Sequence, residues 1–268
     1  MKVDDYALAW TKKDSLEILN RRIHDGFSLD QDLYRRAFFY HKTAFLDLFP
    51  SAKPKPSSRV LEIGGGVGWP IQAGIDLFPN VTFTDLDISL NMIEKAKERI
   101  SKLPDSSNKY MPHCQFAHYE SGSDFPFEDN TFDTIYSYAV LWHLPIPQLV
   151  ILLDQIKRVL KPGGSFVANF LSVSGMDREY FLEEQKEQIN SERNPGRHFL
   201  FWHTAMQIHY WVVDVLRCTQ FDFKYTSRHF NDSPAHYYWL HFSKEEGPVM
   251  LNEKLGALLE SINNEIVV

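Results

Sequence analysis

The sequence predicts an α/β fold, a mostly parallel sheet alternating with helices, and three stretches carry that prediction. A short apolar strand at residues 59–63 runs into four glycines in five positions, Gly64, Gly65, Gly66 and Gly68, and Pro70 then stands where a helix begins. A second apolar run, 81–86, leads into Asp85-Leu86-Asp87-Ile88-Ser89 and then a helical pattern through Met92, Ile93, Ala96 and Ile100. Strand-like and helix-like runs go on alternating as far as Phe170, the pattern of parallel strands joined by crossover helices.

Taken in order, residues 5–50 read as helices. Leu8, Leu16, Leu19 and Ile23, then Leu33, Ala37, Phe38, Phe45 and Leu48, recur at roughly helical spacing, with a break at Asp25-Gly26. Residues 51–58, with Pro54 and Pro56, form a linker that delivers the chain to the first strand. This divides the chain into an N-terminal helical segment, 1–57, and an α/β domain, 58–268. After the glycines come a helix at 71–78, the strand 81–86 with its helix, a third strand at 113–118, a fourth at 134–137, a helix at 148–160 and a fifth strand at 165–170. A charged helical run at 179–192 reads as a solvated face, and an aromatic-rich helix follows at 201–216. Runs at 221–229 and 236–242 alternate like an antiparallel pair, with a turn at Asn231-Asp232-Ser233-Pro234, and 244–268 closes as a helix.

Composition narrows the function. At 268 residues, 44% hydrophobic and 24% charged, the chain has enough interior for a sizeable core. Its net charge of −7 gives no global attraction to nucleic acid or anionic lipid. No apolar run approaches the ~20 residues that a membrane span needs, and Met1-Lys2-Val3-Asp4-Asp5 does not open a signal peptide, so the expected setting is cytoplasmic. Cys114 and Cys218 lack CxxC spacing, which argues against a disulfide framework and against zinc. The eleven histidines have no accompanying cysteine pairs either, and no metal is expected.

What binds at the glycine turn is decided by spacing. In a dinucleotide fingerprint starting at Gly64 the third glycine position falls on Trp69, and no Gly-Lys-Ser/Thr follows to make a nucleoside triphosphate loop. The string is instead acidic-x-Gly-x-Gly-x-Gly, Glu62 to Gly68, which resembles the first motif of class I S-adenosylmethionine-dependent methyltransferases. The resemblance implies a Rossmann-like sheet of seven strands, mostly parallel with an antiparallel edge strand, N-terminal helices over the cofactor, and a helical cap insertion at about 171–200, which takes in the charged run at 179–192. It implies that Gly64, Gly65, Gly66 and Gly68 lie against the methionine part of the cofactor, with Glu62 supporting the loop or the amino group.

Three more motifs continue it. Asp87-Ile88-Ser89 is similar to the family's second motif and makes Asp87, with Ile88, the ribose candidate; Asp85, two residues earlier on the same strand face, stays open as the alternative. Ser89 is also suited to capping the next helix. The string from Phe125 to Asp133 resembles a segment of the ubiquinone and menaquinone methyltransferase-like group, which places the adenine contact at Glu120-Ser121, with Asp124 as the alternative. Resemblance also puts Ser137, Tyr138 and Trp142 near the methyl donor or acceptor. Arg158 to Gly164, ending Lys161-Pro162-Gly163-Gly164, matches the last core motif, whose role is to stop a helix and start a strand.

The expected activity is methyl transfer from S-adenosyl-L-methionine to an oxygen, nitrogen or carbon of a small-molecule acceptor. An RNA or protein methyltransferase and a non-catalytic cofactor-binding protein are the alternatives. RNA binding would call for a basic patch and a catalytic Asn/Asp-Pro-Pro-Tyr/Phe string, and the sequence has no such string. A general base is needed only where the acceptor must lose a proton; the candidates are His143, His203 and His209, with His143 equally suited to holding backbone at a helix end. The oligomeric state is open, a homodimer being one admissible state.

Overall fold

The computed structural model describes residues 29–171 apart from 121 and 145, together with 182, 186, 205–211, 218, 220–230 and 233–244. The helices expected before residue 29, nearly all of the cap at 171–200, the closing helix at 244–268 and the site candidates Ser121 and His203 lie outside the described residues.

Seven strands form one sheet: β1 Arg59–Ile63, β2 Thr82–Asp87, β3 Cys114–His118, β4 Phe132–Ser137, β5 Leu160–Leu171, β6 Gln220–Phe230 and β7 Ser233–Ser243, in the order β3-β2-β1-β4-β5-β7-β6. The first five run parallel, and β7 runs against both β5 and β6. From β1 the chain winds outward through β2 and β3, then crosses back to lay β4 on the other side of β1. The strand order therefore reverses at β1 and β4, and their carboxyl ends border the crevice where open α/β sheets bind ligands.

Five α-helices are described: α1 Leu29–Lys42, α2 Trp69–Leu77, α3 Leu90–Ser101, α4 Ile146–Val159 and α5 Ala205–Tyr210. Pro70 sits in the first turn of α2, where its missing N–H costs nothing. In α3 the Ser89 hydroxyl caps the helix by accepting from Met92 N–H at 3.3 Å, and Met92, Ile93, Ala96 and Ile100 make the buried stripe. Strand alternation sorts the sheet residues onto two faces. Leu61, Ile63, Ile135 and Phe166 pack under Leu149, Leu153 and Ile156 of α4. Val60, Phe83, Tyr136 and Val167 pack on the opposite face, under Tyr40 of α1, Phe45 and Ile71 and Ile75 of α2.

The structure departs from the sequence reading at two joints. The helix expected to end at Leu160 ends at Val159, and Leu160 already pairs with Phe132; pairing then slips and resumes at Thr134 and Ser165. Pro162 cannot donate and Gly163 is left-handed (φ 72°), so the backbone leaves the ladder there. Lys244 recovers two of the freed groups: its carbonyl accepts from Gly163 N–H at 2.6 Å and its N–H donates to Gly164 O at 3.1 Å. The last two strands also run longer than their alternation indicates, drawing Ser233 and Pro234 into β7.

Ile156 is fully buried on α4 while Ile151, on the same helix, is 46% exposed. Urea denaturation should show Ile156→Ala losing ~2–5 kcal/mol and Ile151→Ala staying within ~0.5 kcal/mol of the native chain. Equal losses would contradict the assignment of the buried face.

Candidate functional site

The glycine turn leaves β1 with three left-handed glycines, Gly64 (φ 74°), Gly66 (φ 58°) and Gly68 (φ 83°), a conformation that side chains with a Cβ rarely adopt. Gly64 N–H still belongs to the sheet, donating to Leu86 O at 2.8 Å. The next two N–H groups turn toward β2: Gly65 donates to Asp85 Oδ1 at 3.1 Å and Gly66 to Asp87 Oδ2 at 3.2 Å. A Cβ on Gly65 would lie 2.5 Å from Asp85 Oδ1, so the absence of a side chain there is what lets the carboxylate reach the backbone. A Cβ on Gly66 would meet nothing within 4 Å. The backbone at Gly66 therefore borders open space, which a ligand can approach to hydrogen-bond range. At the far end Arg99, from α3, clamps the turn by donating to Val67 O at 2.8 Å and Gly68 O at 2.6 Å, and to Gln72 Oε1 at 2.7 Å.

The pairing of β1 with β2 places Glu62 beside Asp85, and both share a strand face with Asp87. All three are nearly inaccessible, at 1%, 0% and 7% exposure for Glu62, Asp85 and Asp87. Burial raises each carboxyl above its ordinary value. Asp87 is pushed up to about 6 by burial, against the N–H groups of Ser89 and Gly66 and the nearby His118, which pull it down. Asp85 is held well above the usual carboxylate range, by burial first and then by the charges of Asp87 and Glu62. Its Oδ2 is buried with no hydrogen-bond partner among the described residues. Glu62 is raised by burial and drawn back by His41.

His41 comes from the last turn of α1. Its Nδ1 lies 3.1 Å from Ala37 O, which can only accept, so Nδ1 donates; Nε2 then faces Glu62 Oε2 at 3.3 Å. Both side chains are 1% exposed, and their close approach sets α1 against the root of the glycine turn. One residue earlier, Tyr40 stacks on Tyr138 with ring centroids 3.8 Å apart. Tyr34 completes the docking of α1, donating to Asp76 Oδ2 of α2 at 2.7 Å.

From β4, Ser137 is fully buried and its hydroxyl donates to Ile63 O at 3.3 Å, bracing the strand that carries the turn. Tyr138 lies between Tyr40 and Trp239, and Trp142 meets it edge-on at 6.2 Å. Ala139 is left-handed (φ 60°), which costs a residue with a Cβ about 1–2 kcal/mol. Its N–H donates to Asn169 Oδ1 of β5 at 3.0 Å. Val140 follows, packed so closely on Gly64 that a Cβ there would lie 2.5 Å from Val140 Cγ2.

The structure thus gathers Glu62, the four glycines, Asp85, Asp87, Ile88, Ser137 and Tyr138 around one end of β1, β2 and β4. Glu120 is exposed at the end of the segment that leaves β3, where its carbonyl accepts from Ser123 N–H and Oγ. Asp124 is engaged elsewhere: its Oδ1 accepts from Gln155 Nε2 at 2.8 Å. Gln155 and Arg158 of α4 together hold the Phe125-Pro126-Phe127 backbone, Gln155 accepting from Phe125 N–H and Arg158 donating to the Phe125 and Phe127 carbonyls. His143 stands just past the β4 edge, and since an indole N–H only donates, His143 Nε2 accepts from Trp142 Nε1 at 3.0 Å. His209 is buried against Phe221, ring centroids 5.0 Å apart. Among the described residues no three His, Cys, Asp or Glu side chains are grouped to hold a metal ion.

Sequence reasoning missed His41, Arg99, Gln155 and Asn169. His41 and Arg99 lie on helical faces that read as packing and solvent surface, and nothing local marks them. Asn169 does carry a signal, a polar residue within the apolar run 165–170.

Residues 60–164 match the family described as methyltransferase domain. An uncharacterized methyltransferase of Schizosaccharomyces pombe is 32% identical over 160 residues, 55% of each chain. A demethylmenaquinone methyltransferase of Bacillus cytotoxicus is 28% identical over 152 residues, 54% of this chain and 60% of its own. The matches span little more than half the length of these relatives. Among solved structures, magnesium protoporphyrin IX methyltransferase from Synechocystis with bound SAH superposes with a TM-score of 0.59 at 14% identity, covering 88% of this chain and 97% of that one, a likeness of fold.

The raised pKa of Asp87 makes stability fall as pH rises. The folded value, about 6, exceeds the ordinary 3.8, so stability contributed by the neutral form is lost as pH rises through that window. Asp87→Asn, which cannot ionise, should gain ~1–3 kcal/mol relative to the native chain between pH 4.5 and pH 7.5 in urea denaturation. A difference that does not change with pH would show that Asp87 ionises as freely in the fold as in the unfolded chain.

Proposed function

We propose that this chain, whose residues 60–164 match a methyltransferase domain, transfers the methyl group of S-adenosyl-L-methionine to a small-molecule acceptor. The observation that carries the reading is Gly66: a left-handed glycine, hung by its N–H from a buried carboxylate, with open space where a side chain would be. That is the form of backbone a ligand can approach. A bound cofactor would bring an activated methyl group; the chain's part is to bind, orient and exclude water.

Each residue's part follows from its place. The glycines Gly64 to Gly68 receive the amino-acid end of the cofactor, with Glu62 beneath them bracing α1 through His41. Asp87 takes the ribose. The N–H groups of Gly66, Ser89 and Ile88 all act on it, which leaves about one of its roughly four lone-pair sites for a sugar hydroxyl. Asp85, deeper by two residues and fully buried, shapes the turn through Gly65. Glu120, with Ser121, takes the adenine, because Asp124 is committed to Gln155.

The acceptor lies beyond Tyr138, in the direction of Trp142 and His143. His143 serves as a base only by releasing Trp142, since its acceptor nitrogen is engaged there. Of the other two candidates, His209 lies against Phe221, and His203 is outside the described residues. A small acceptor is favoured by the net charge of −7 and by relatives whose names include a demethylmenaquinone methyltransferase and a phosphoethanolamine N-methyltransferase. The atom methylated is an oxygen, nitrogen or carbon.

Two experiments test this reading. Calorimetry should detect S-adenosylhomocysteine binding to the native chain and none to Gly66→Arg, whose side chain fills the open space while the circular dichroism spectrum stays native. Equal binding by both would remove the site from the glycine turn. In methyl transfer to a metabolite pool, His143→Ala should lower turnover with cofactor affinity unchanged; full turnover would leave His143 only the task of holding Trp142.

A further inference from the structure

We infer that Asn169 is a positioning residue of the glycine turn: it holds the exit of β4 in the conformation that seats Val140 on Gly64. The inference rests on the cofactor reading above, because the turn it shapes is the proposed cofactor site.

The starting observation is the backbone of Ala139. Five non-glycine residues have positive φ among those described, and three of them, Asn80, Asp105 and Asn130, are of the types that tolerate the left-handed region. Ala139 has no polar side chain to hold it there. Its conformation is held instead from the neighbouring strand, through the bond from its N–H to Asn169 Oδ1 at 3.0 Å. Reversal of the chain at Ala139 carries Val140 onto Gly64, and the space that Gly64 leaves free is the space Val140 fills.

Asn169 is built to be rigid. It is fully buried, pairs in register with Trp239, and lies on β5 in line with Tyr138, whose ring stacks with Trp239 at 6.0 Å. The other end of its amide argues that the position does not serve stability alone. Nδ2 is buried with no hydrogen-bond partner among the described residues. A leucine of similar size would remove that unsatisfied donor but would also take away the acceptor of Ala139 N–H, so the local cost of the amide is tied to that one bond. The two unfavourable features, a left-handed alanine and an unsatisfied amide, are joined by one hydrogen bond. What that bond produces is the placement of Val140 against the turn, and strain of this kind collects at functional sites.

The test is a double-mutant cycle read by calorimetry with S-adenosylhomocysteine and by amide hydrogen exchange at Ala139. Asn169→Leu should weaken binding ~10-fold and speed exchange at Ala139. Glycine adopts the left-handed conformation without a tether, so in an Ala139→Gly background the same substitution should weaken binding less than ~3-fold. Native affinity in Asn169→Leu, or an equal loss in both backgrounds, would overturn the inference. Should Asn169→Leu fail to fold, Asn169→Ala, which only removes atoms, carries the same cycle. If the native chain binds no S-adenosylhomocysteine, the methyltransferase reading falls by itself. Exchange then decides the tether: unchanged protection of Ala139 in the variant refutes it, and faster exchange supports it.

Discussion

Two backbone N–H groups donating into carboxylates that have almost no contact with water hold this site in shape. Gly65 to Asp85 and Gly66 to Asp87 are the bonds that bend the chain away from β1 and leave Gly66 beside open space. A hydrogen bond to an ionised or partly ionised acceptor is stronger than a neutral one, and low local polarity strengthens it further. The same environment makes the carboxyls resist ionisation, which is why Asp85 and Asp87 both sit above their ordinary range. The arrangement is thus locally unfavourable and is sustained by the packed sheet around it, as is usual where a fold sacrifices stability to place a binding surface.

Around that turn, every flank is braced from a different element. Arg99 of α3 takes the carbonyls at its far end, Val140 closes the side toward β4, and the His41–Glu62 pair pins its root to α1. These contacts span separations of 21 to more than 70 residues, so the turn is a product of the assembled sheet. The helix α1 has a second consequence. By stacking Tyr40 on Tyr138 it sets aromatic rings at the carboxyl end of β4, while Tyr34 anchors it to Asp76 of α2.

Much of this was legible beforehand, for identifiable reasons. The glycines, the carboxylates ending β2 and the run from Arg158 to Gly164 are local patterns whose physics operates within a few residues: positive φ, a strand end, a helix stop. Such patterns appear in a linear text. Other joints were misplaced by a few residues, as at Leu160, where pairing with Phe132 captured a residue that helical periodicity assigned to α4. Tertiary pairing overrode a local preference there. His41, Arg99, Gln155 and Asn169 were missed because each acts across the fold, on backbone groups or a carboxylate that no sequence spacing brings near.

By itself, then, the sequence determined the strand-and-helix alternation, the chirality-permissive turn after β1 and the presence of acids at the neighbouring strand's end, since each depends on residue type and short-range order. Only the tertiary structure decided what those acids do. It pairs Asp85 and Asp87 with successive N–H groups of the turn, ties Glu62 to His41, and sets Ala139 in a conformation it would not hold alone. The physical reason is that burial and directional hydrogen bonding are properties of a position in space, and neighbouring strands supply that position.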